Sequence, residues 1–220
     1  MNWQSLWNNE AKSSRMVDQV QRKDLDSTCL AAEHIMEVLA IKKEDVVLDV
    51  CCGNGLITKE VSKYCSHITG IDISEDLIQH AVARSSMENT SYSISSAEEF
   101  SKLITTKVDK IYLEFAFQYF DKKGQGKRVI EEMLKVLKSG GKIFIGNTPD
   151  QDKLWTFYNT FKKRLFYYTI KISGKKSMGK FWKKDELLKI CQEIGVQGKV
   201  LVQDPKLPYA HYRFDFLIEK

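Results

Sequence analysis

Two rhythms of apolar residues alternate along the chain from about residue 27 onward. Short unbroken apolar runs, suited to strands covered on both faces, are separated by stretches in which apolar side chains return every three or four positions, as on one face of a helix. Leu30, Ala31, Ile35, Val38 and Leu39 predict a helix over residues 28–39, and a buried strand follows over 46–51. The same reading places a helix at Leu56, Ile57, Val61 and Tyr64, a strand over 67–72, a helix at Leu77, Ile78, Ala81 and Val82, and a strand near 91–95. A short helix at 97–103, a strand over 108–115, a helix over 127–138 closed by Gly140 as a left-handed cap, and a strand over 142–146 continue the series. Such alternation predicts an α/β, doubly wound fold: a mostly parallel sheet with helices on both faces.

Past Pro149 the rhythm changes. An aromatic and basic helix is expected over 154–168, a loop rich in Gly and Lys over 173–180, and a helix over 185–194 stopped by Gly195. Two strands, at 199–203 and 212–219, are joined only by an irregular segment and are expected to pair antiparallel. Residues 1–26 are polar with two tryptophans, Trp3 and Trp7, and read as an arm or a lid. No linker rich in Pro, Gly or Ser divides the 220 residues, which read as one domain.

Composition narrows the class. With 43% hydrophobic and 29% charged residues the chain is an ordinary globular protein. It holds no run approaching the ~18 apolar residues of a membrane span, and residues 1–10 lack the charged-then-apolar order of a secretory signal, so a cytoplasmic protein is expected. The five cysteines are odd in number and irregularly spaced, which predicts free thiols, and no paired Cys or His spacing suggests a metal site. The net charge of +5 is uneven: residues 151–189 carry eleven Lys or Arg against three Asp or Glu. Residues 151–180 are therefore expected to form an inserted substrate lid. Its aromatic residues would close an acceptor pocket, and Lys162, Lys163 and Arg164, or Lys175, Lys176 and Lys180, would meet an anionic group. The plainer alternative is a solvated basic face.

The segment from Val47 to Leu56, with Asp49, Cys51, Cys52, Gly53, Asn54 and Gly55, is a buried strand turning through glycines into an amphipathic helix. In an open α/β sheet ligands settle beyond the carboxyl ends of the strands, and Gly53 and Gly55 let backbone approach a ligand closely. The dinucleotide fingerprint fails, because Thr58 stands where a third glycine is required, and no Gly-Lys-Ser/Thr ends the turn as a phosphate-binding loop would. Asp72 closes the next strand, where a carboxylate can accept from both hydroxyls of a ribose; the alternative role, capping the following helix, suits Ser74 better.

These residues resemble the first two motifs of the class I S-adenosylmethionine-dependent methyltransferases, with Val47 to Leu56 as the first and Gly70-Ile71-Asp72-Ile73-Ser74 as the second. Ser96-Ala97-Glu98-Glu99-Phe100 is similar to the adenine-edge segment, Val108 to Tyr119 to the fourth-strand motif, and Leu137 to Ile143 to the entry of the fifth strand. The resemblance covers most of the chain. It implies a seven-stranded sheet in the order 3-2-1-4-5-7-6 with the last strand antiparallel, and S-adenosyl-L-methionine as cofactor. It also implies cofactor-binding positions at Asp49, Cys51, Gly53, Gly55, Asp72, Ile73, Ala97, Glu98 and Phe115. Two positions depart from the pattern: Cys51 replaces the first glycine, and Ser96 the usual aspartate.

If the acceptor must lose a proton, the candidate bases are His211, Tyr119, Glu114 and Asp121. The fourth strand runs on as Leu113-Glu114-Phe115-Ala116-Phe117, without the Asn/Asp-Pro-Pro-aromatic element or the Pro-Cys nucleophile of base-modifying members. A small, anionic metabolite is the expected acceptor. RNA or protein as acceptor, or binding of the donor without catalysis, are the alternatives.

Overall fold

The computed structural model describes residues 2–21, 23–173 and 179–220. Seven strands form one sheet: β1 (Val46–Val50), β2 (His67–Asp72), β3 (Thr90–Ile94), β4 (Val108–Glu114), β5 (Leu137–Pro149), β6 (Gln197–Leu201) and β7 (Arg213–Glu219). Their order is β3-β2-β1-β4-β5-β7-β6, and the expected topology holds. β7 runs antiparallel to both neighbours, while the other pairings are parallel.

Strict period-two alternation sends side chains of the central strands to opposite faces. Leu48, Val50, Ile111, Leu113, Ile143 and Ile145 pack with Val129, Ile130 and Met133 of α6 (Gln125–Val136) and with Leu187 and Cys191 of α9 (Lys184–Ile194). Val47, Ile68, Tyr112 and Phe144 meet Ala31, Ala32, Ile35 and Leu39 of α3 (Leu25–Leu39) and Ile57 and Val61 of α4 (Leu56–Ser62). Each fully buried aliphatic side chain in these layers contributes about 1.5–3 kcal/mol. The start of α3 is fixed by a capping box, in which Asp24 Oδ1 accepts from the Ser27 N–H (2.7 Å) and Ser27 Oγ from the Asp24 N–H (3.3 Å). α5 (Glu75–Ser85) is capped by Ser74 Oγ, which accepts from the Leu77 N–H at 3.2 Å.

Three local expectations are corrected. Gly140 is left-handed (φ 74°) but caps no helix: α6 runs straight into β5. Val108 pairs with Leu137 and Lys110 with Lys142, so residues 138–141 bow out of the ladder and Gly140 makes the bend. The segment 97–103 holds only a single 3-10 turn, Phe100–Lys102, which buries Phe100. The long helix over 154–168 is two helices, α7 (Leu154–Phe157) and α8 (Phe161–Ser173). Tyr158 turns inward to pack with Leu154, Phe181 and Tyr212, and Thr160 Oγ1 accepts from the Lys163 N–H to start the second helix. Ahead of the sheet lie α1 (Trp3–Glu10) and α2 (Met16–Gln19).

Candidate active site at the carboxyl edge of the sheet

The ends of β1, β4 and β5 are neighbours in the sheet, and each holds a non-glycine residue in the left-handed region: Cys51 (φ 64°), Phe115 (φ 63°) and Asn147 (φ 55°). Such backbone costs about 1–2 kcal/mol per L-residue and concentrates where geometry serves function. Cys51 occupies the place where the family pattern has glycine, and it keeps the backbone conformation that a glycine would adopt there. Asn147 is of a type that readily takes this region, whereas the conformation of Phe115 carries no mark in the sequence.

A cavity opens along this edge. Asp49, Cys51 and Gly53 line it after β1, Asp72 and Ile73 after β2, Ala97 and Glu98 after β3, and Glu114, Phe115 and Tyr119 after β4. Of the nine positions implied to bind the cofactor, eight line this cavity; Gly55 instead takes φ 75° and N-caps α4. A Cβ at Gly55 or Gly70 would lie 2.7–2.9 Å from Tyr92, whose ring supports the turn from β3.

Asp72 is buried, with Oδ2 accepting from the Gly53 N–H and Oδ1 from the Ser74 N–H, each at 2.9 Å. Burial raises its pKa above the usual carboxylate value, against the pull of the backbone hydrogen bonds. Asp49 lies deeper: one oxygen accepts from Thr58 Oγ1 (2.6 Å) and the Tyr112 hydroxyl (2.8 Å). Thr58, which breaks the dinucleotide fingerprint, thus anchors the carboxylate at the cavity floor. Burial, reinforced by Asp72 and Asp49, pushes the Cys51 and Cys52 thiols well up, which disfavours the thiolate form at both. The Glu98 carboxylate is engaged by Gln125 Nε2 (2.6 Å) and by Arg128 (2.8 Å).

The N-terminal segment reaches the cavity. Trp3 and Trp7 stack on Tyr119 with ring centroids 4.6 and 5.4 Å away, and Val20 also lines the cavity. The segment is tied down by Ser74 Oγ donating to Asn8 Oδ1 (2.6 Å) and by Asn54 Nδ2 donating to the Met16 carbonyl (2.7 Å) and Gln19 Oε1 (2.9 Å).

The candidate bases separate. Glu114 lines the cavity, buried, with Oε1 accepting from Asn147 Nδ2 at 2.5 Å, and Tyr119 lines it beneath the tryptophans. Asp121 does not line it, and His211 is an exposed residue beside Tyr212. Among the described residues of the expected lid, 151–180, none lines the cavity. Lys162, Lys163 and Arg164 are exposed, Lys180 pairs with Glu186, and Lys175 and Lys176 lie outside the described residues.

Sequence reasoning missed a buried polar network behind Phe115. Asp215, fully buried on β7, accepts from the Asn147 N–H (2.8 Å) and Gln203 Nε2 (3.0 Å) through Oδ1, and its Oδ2 meets His34 Nε2 at 2.8 Å. That hydrogen bond raises the His34 pKa against burial. Arg213, 2% exposed, donates to the Asn147 carbonyl and lies 4.2 Å over the Phe115 ring. It forms no salt bridge among the described residues, and its Nε is without an acceptor there.

Residues 47–141 match a family described as a methyltransferase domain. The chain is similar to a ubiquinone biosynthesis O-methyltransferase of Coxiella burnetii (strain RSA 331 / Henzerling II), 22% identical over 165 residues, covering 75% of this chain and 68% of that one. It is 26% identical over 193 residues to a malonyl-[acyl-carrier protein] O-methyltransferase of Bacillus cereus, covering 86% of this chain and 67% of the relative. The N-methyltransferase NodS of Bradyrhizobium japonicum WM9, solved with S-adenosyl-L-homocysteine, superposes with a TM-score of 0.72 at 16% identity. The match covers 100% of this chain and 99% of that one.

Proposed function

We propose that this chain, a class I S-adenosylmethionine-dependent methyltransferase, places the methyl group on an oxygen of a small acceptor that carries an anionic group. The observation that carries the reading is one continuous cavity reaching from Asp72 and Gly53 to Glu114, Phe115 and Tyr119.

The residues present fit the donor. A carboxylate offers about four lone-pair sites, and the backbone N–H groups that Asp72 accepts from do not fill them all, which leaves capacity for a ribose hydroxyl. A Cβ at Gly53 would strike Val20 at 2.7 Å, so the turn stays low beneath the covering segment and leaves room for the donor's amino-acid end. Asp72 would hold the ribose, Cys51 and Gly53 the amino-acid end, and Ile73 and Ala97 the adenine. Bound there, S-adenosyl-L-methionine supplies a methyl group that its sulfonium already makes electrophilic.

The chain's own task is then to place the acceptor and exclude water. Glu114 is the group set to take a proton from an acceptor hydroxyl, oriented by Asn147, with Tyr119 beside the site. Residues 1–26 serve as the cover that keeps the site dry. Two features favour an anionic, oxygen-bearing acceptor. A buried guanidinium with no ion pair among the described residues is costly; Arg213 does not itself line the cavity but lies behind Phe115, so an acceptor's negative group would gain from it across or past that ring. Both relatives in sequence, at 22% and 26% identity, are O-methyltransferases.

The test is a panel of hydroxylated acceptors, with and without a carboxylate or phosphate, scored by release of S-adenosyl-L-homocysteine. Anionic acceptors should turn over preferentially, and Arg213→Met, if still folded by thermal unfolding, should raise their KM about tenfold or more while donor affinity stays within twofold, as expected for one lost charged contact. Equal turnover of neutral acceptors, or unchanged KM in the variant, refutes the anionic assignment.

A further inference from the structure

We propose that α8 is an interfacial anchor by which the chain docks on an anionic lipid surface. The helix shows a side that packing leaves open. Phe161, Leu165, Tyr168 and Ile172 are 83%, 56%, 50% and 87% exposed. At about 100° per residue these four fall within one narrow stripe along the helix axis. Tyr167 faces the other way and holds the helix to the body through Tyr158 (centroids 5.0 Å apart). A contiguous apolar ridge of this kind marks an interaction surface rather than a scatter of surface residues.

Charge selects the occupant. Residues 153–184 contain ten Lys or Arg and not one Asp or Glu. Lys162 and Arg164 flank the stripe on its two sides, Lys163 lies toward the body, and all three are exposed. A protein partner would be met by a hot-spot pocket and a rim of mixed charge. This surface has instead a ridge of aromatic and aliphatic side chains bordered by Lys162, Thr169 and Arg164 with no acidic residue, the composition that seats a helix at the headgroup boundary of an anionic bilayer. Trp155, partly exposed beside Arg164 (5.4 Å), adds an interfacial aromatic.

The anchor is coupled to the catalytic cavity through ring contacts. Phe157 and Tyr212 lie 4.8 Å apart, Tyr212 and Tyr209 6.2 Å, and Tyr209 meets Phe115, which lines the cavity, at 5.4 Å. α8 is thus linked to Phe115 only through the intervening rings of Tyr167, Tyr158, Phe157, Tyr212 and Tyr209, and the existence of the docking surface does not depend on which acceptor is methylated.

Co-sedimentation with vesicles tests the proposal on the full chain. Phosphatidylcholine vesicles containing phosphatidylglycerol should pellet the protein, pure phosphatidylcholine vesicles should not, and raised salt should release it. A Phe161→Asp/Ile172→Asp variant should lose binding at least about tenfold, since two inserted side chains are withdrawn. Lys162→Gln should weaken it about fivefold, as one basic residue near the surface is lost. Both changes are on exposed positions, so thermal unfolding and binding of S-adenosyl-L-homocysteine should stay as in the parent. Equal binding to both vesicle types, binding indifferent to the aspartate variant, or no binding at all overturns the proposal. So does a concentration-dependent dimer abolished by the same variant, which would assign the ridge to a second copy of the chain.

Discussion

Asp72 offers the sharpest test of the donor site, because its carboxylate supports both the fold of the turn and the ligand. In Asp72→Ala the Gly53 and Ser74 N–H groups lose their acceptor, and on the proposed reading the ribose hydroxyls would lose theirs. Losing charge-assisted hydrogen bonds to the ribose should weaken binding by about 1–3 kcal/mol, a rise in Kd of about 5- to 150-fold. Asp72→Asn keeps the shape but turns an NH2 toward one of the two backbone donors, so it should lower affinity without restoring the turn. The pH dependence carries its own sign. The folded pKa of Asp72 lies above its unfolded value because burial disfavours the charge. Its contribution to stability is therefore full below the unfolded pKa and is lost as pH rises through the folded pKa. The ionised form proposed to hold the ribose predominates only above the folded pKa. Affinity for S-adenosyl-L-homocysteine should thus fall with decreasing pH at a higher pH than an ordinary aspartate titrates, and Asp72→Asn should flatten that part of the profile. Calorimetry across the acid range, with thermal unfolding of the free variants as control, measures all of this. A folded Asp72→Ala protein whose Kd stays within twofold of the parent refutes the ribose assignment.

Two further outcomes follow from the site. His34 has its pKa raised above 6.5, chiefly by the hydrogen bond to Asp215, so its contribution to stability is full below about pH 6.5 and fades as pH rises through the folded value. His34→Leu should remove that component, and denaturant midpoints that fall in parallel for both proteins between pH 6 and 8.5 would contradict it. Cys51→Gly should stabilise the chain by about 0.5–1 kcal/mol, because relief of the left-handed strain outweighs the extra freedom of glycine in the unfolded state. A lowered denaturation midpoint would show that the thiol's packing matters more.

The parallel sheet was legible because its signals are local. Val46, Val47, Leu48 and Val50 form a short apolar run, broken only by Asp49, that suits a strand covered on both faces, and Asp72 closes the next strand, where the resemblance implies it. What escaped is set by residues far apart in the chain. The His34–Asp215 pair spans 181 positions, and Arg213 reaches Phe115 only because β7 lies antiparallel beside β5. The lid expectation rests on a pattern that reads two ways. Aromatic and basic residues spaced along a helix have the same pattern whether they face a pocket or solvent, and here Tyr158 and Tyr167 turned to the body while Phe161 and Ile172 turned away. The kink at Gly140 likewise read as a helix cap, since a left-handed glycine after a helical run signals both.

The position of α1 at the cavity bears on the tempo of turnover. That helix buries none of its own residues and is fastened by a few side-chain contacts, among them the tryptophans on Tyr119 and the Ser74–Asn8 hydrogen bond. Elements held so lightly unfasten at a free energy far below that of global unfolding, on timescales faster than the sheet can open. If donor and product exchange past α1, the sheet need not move, and loosening the contacts of Trp3 and Trp7 with Tyr119 should shorten the residence time of the product.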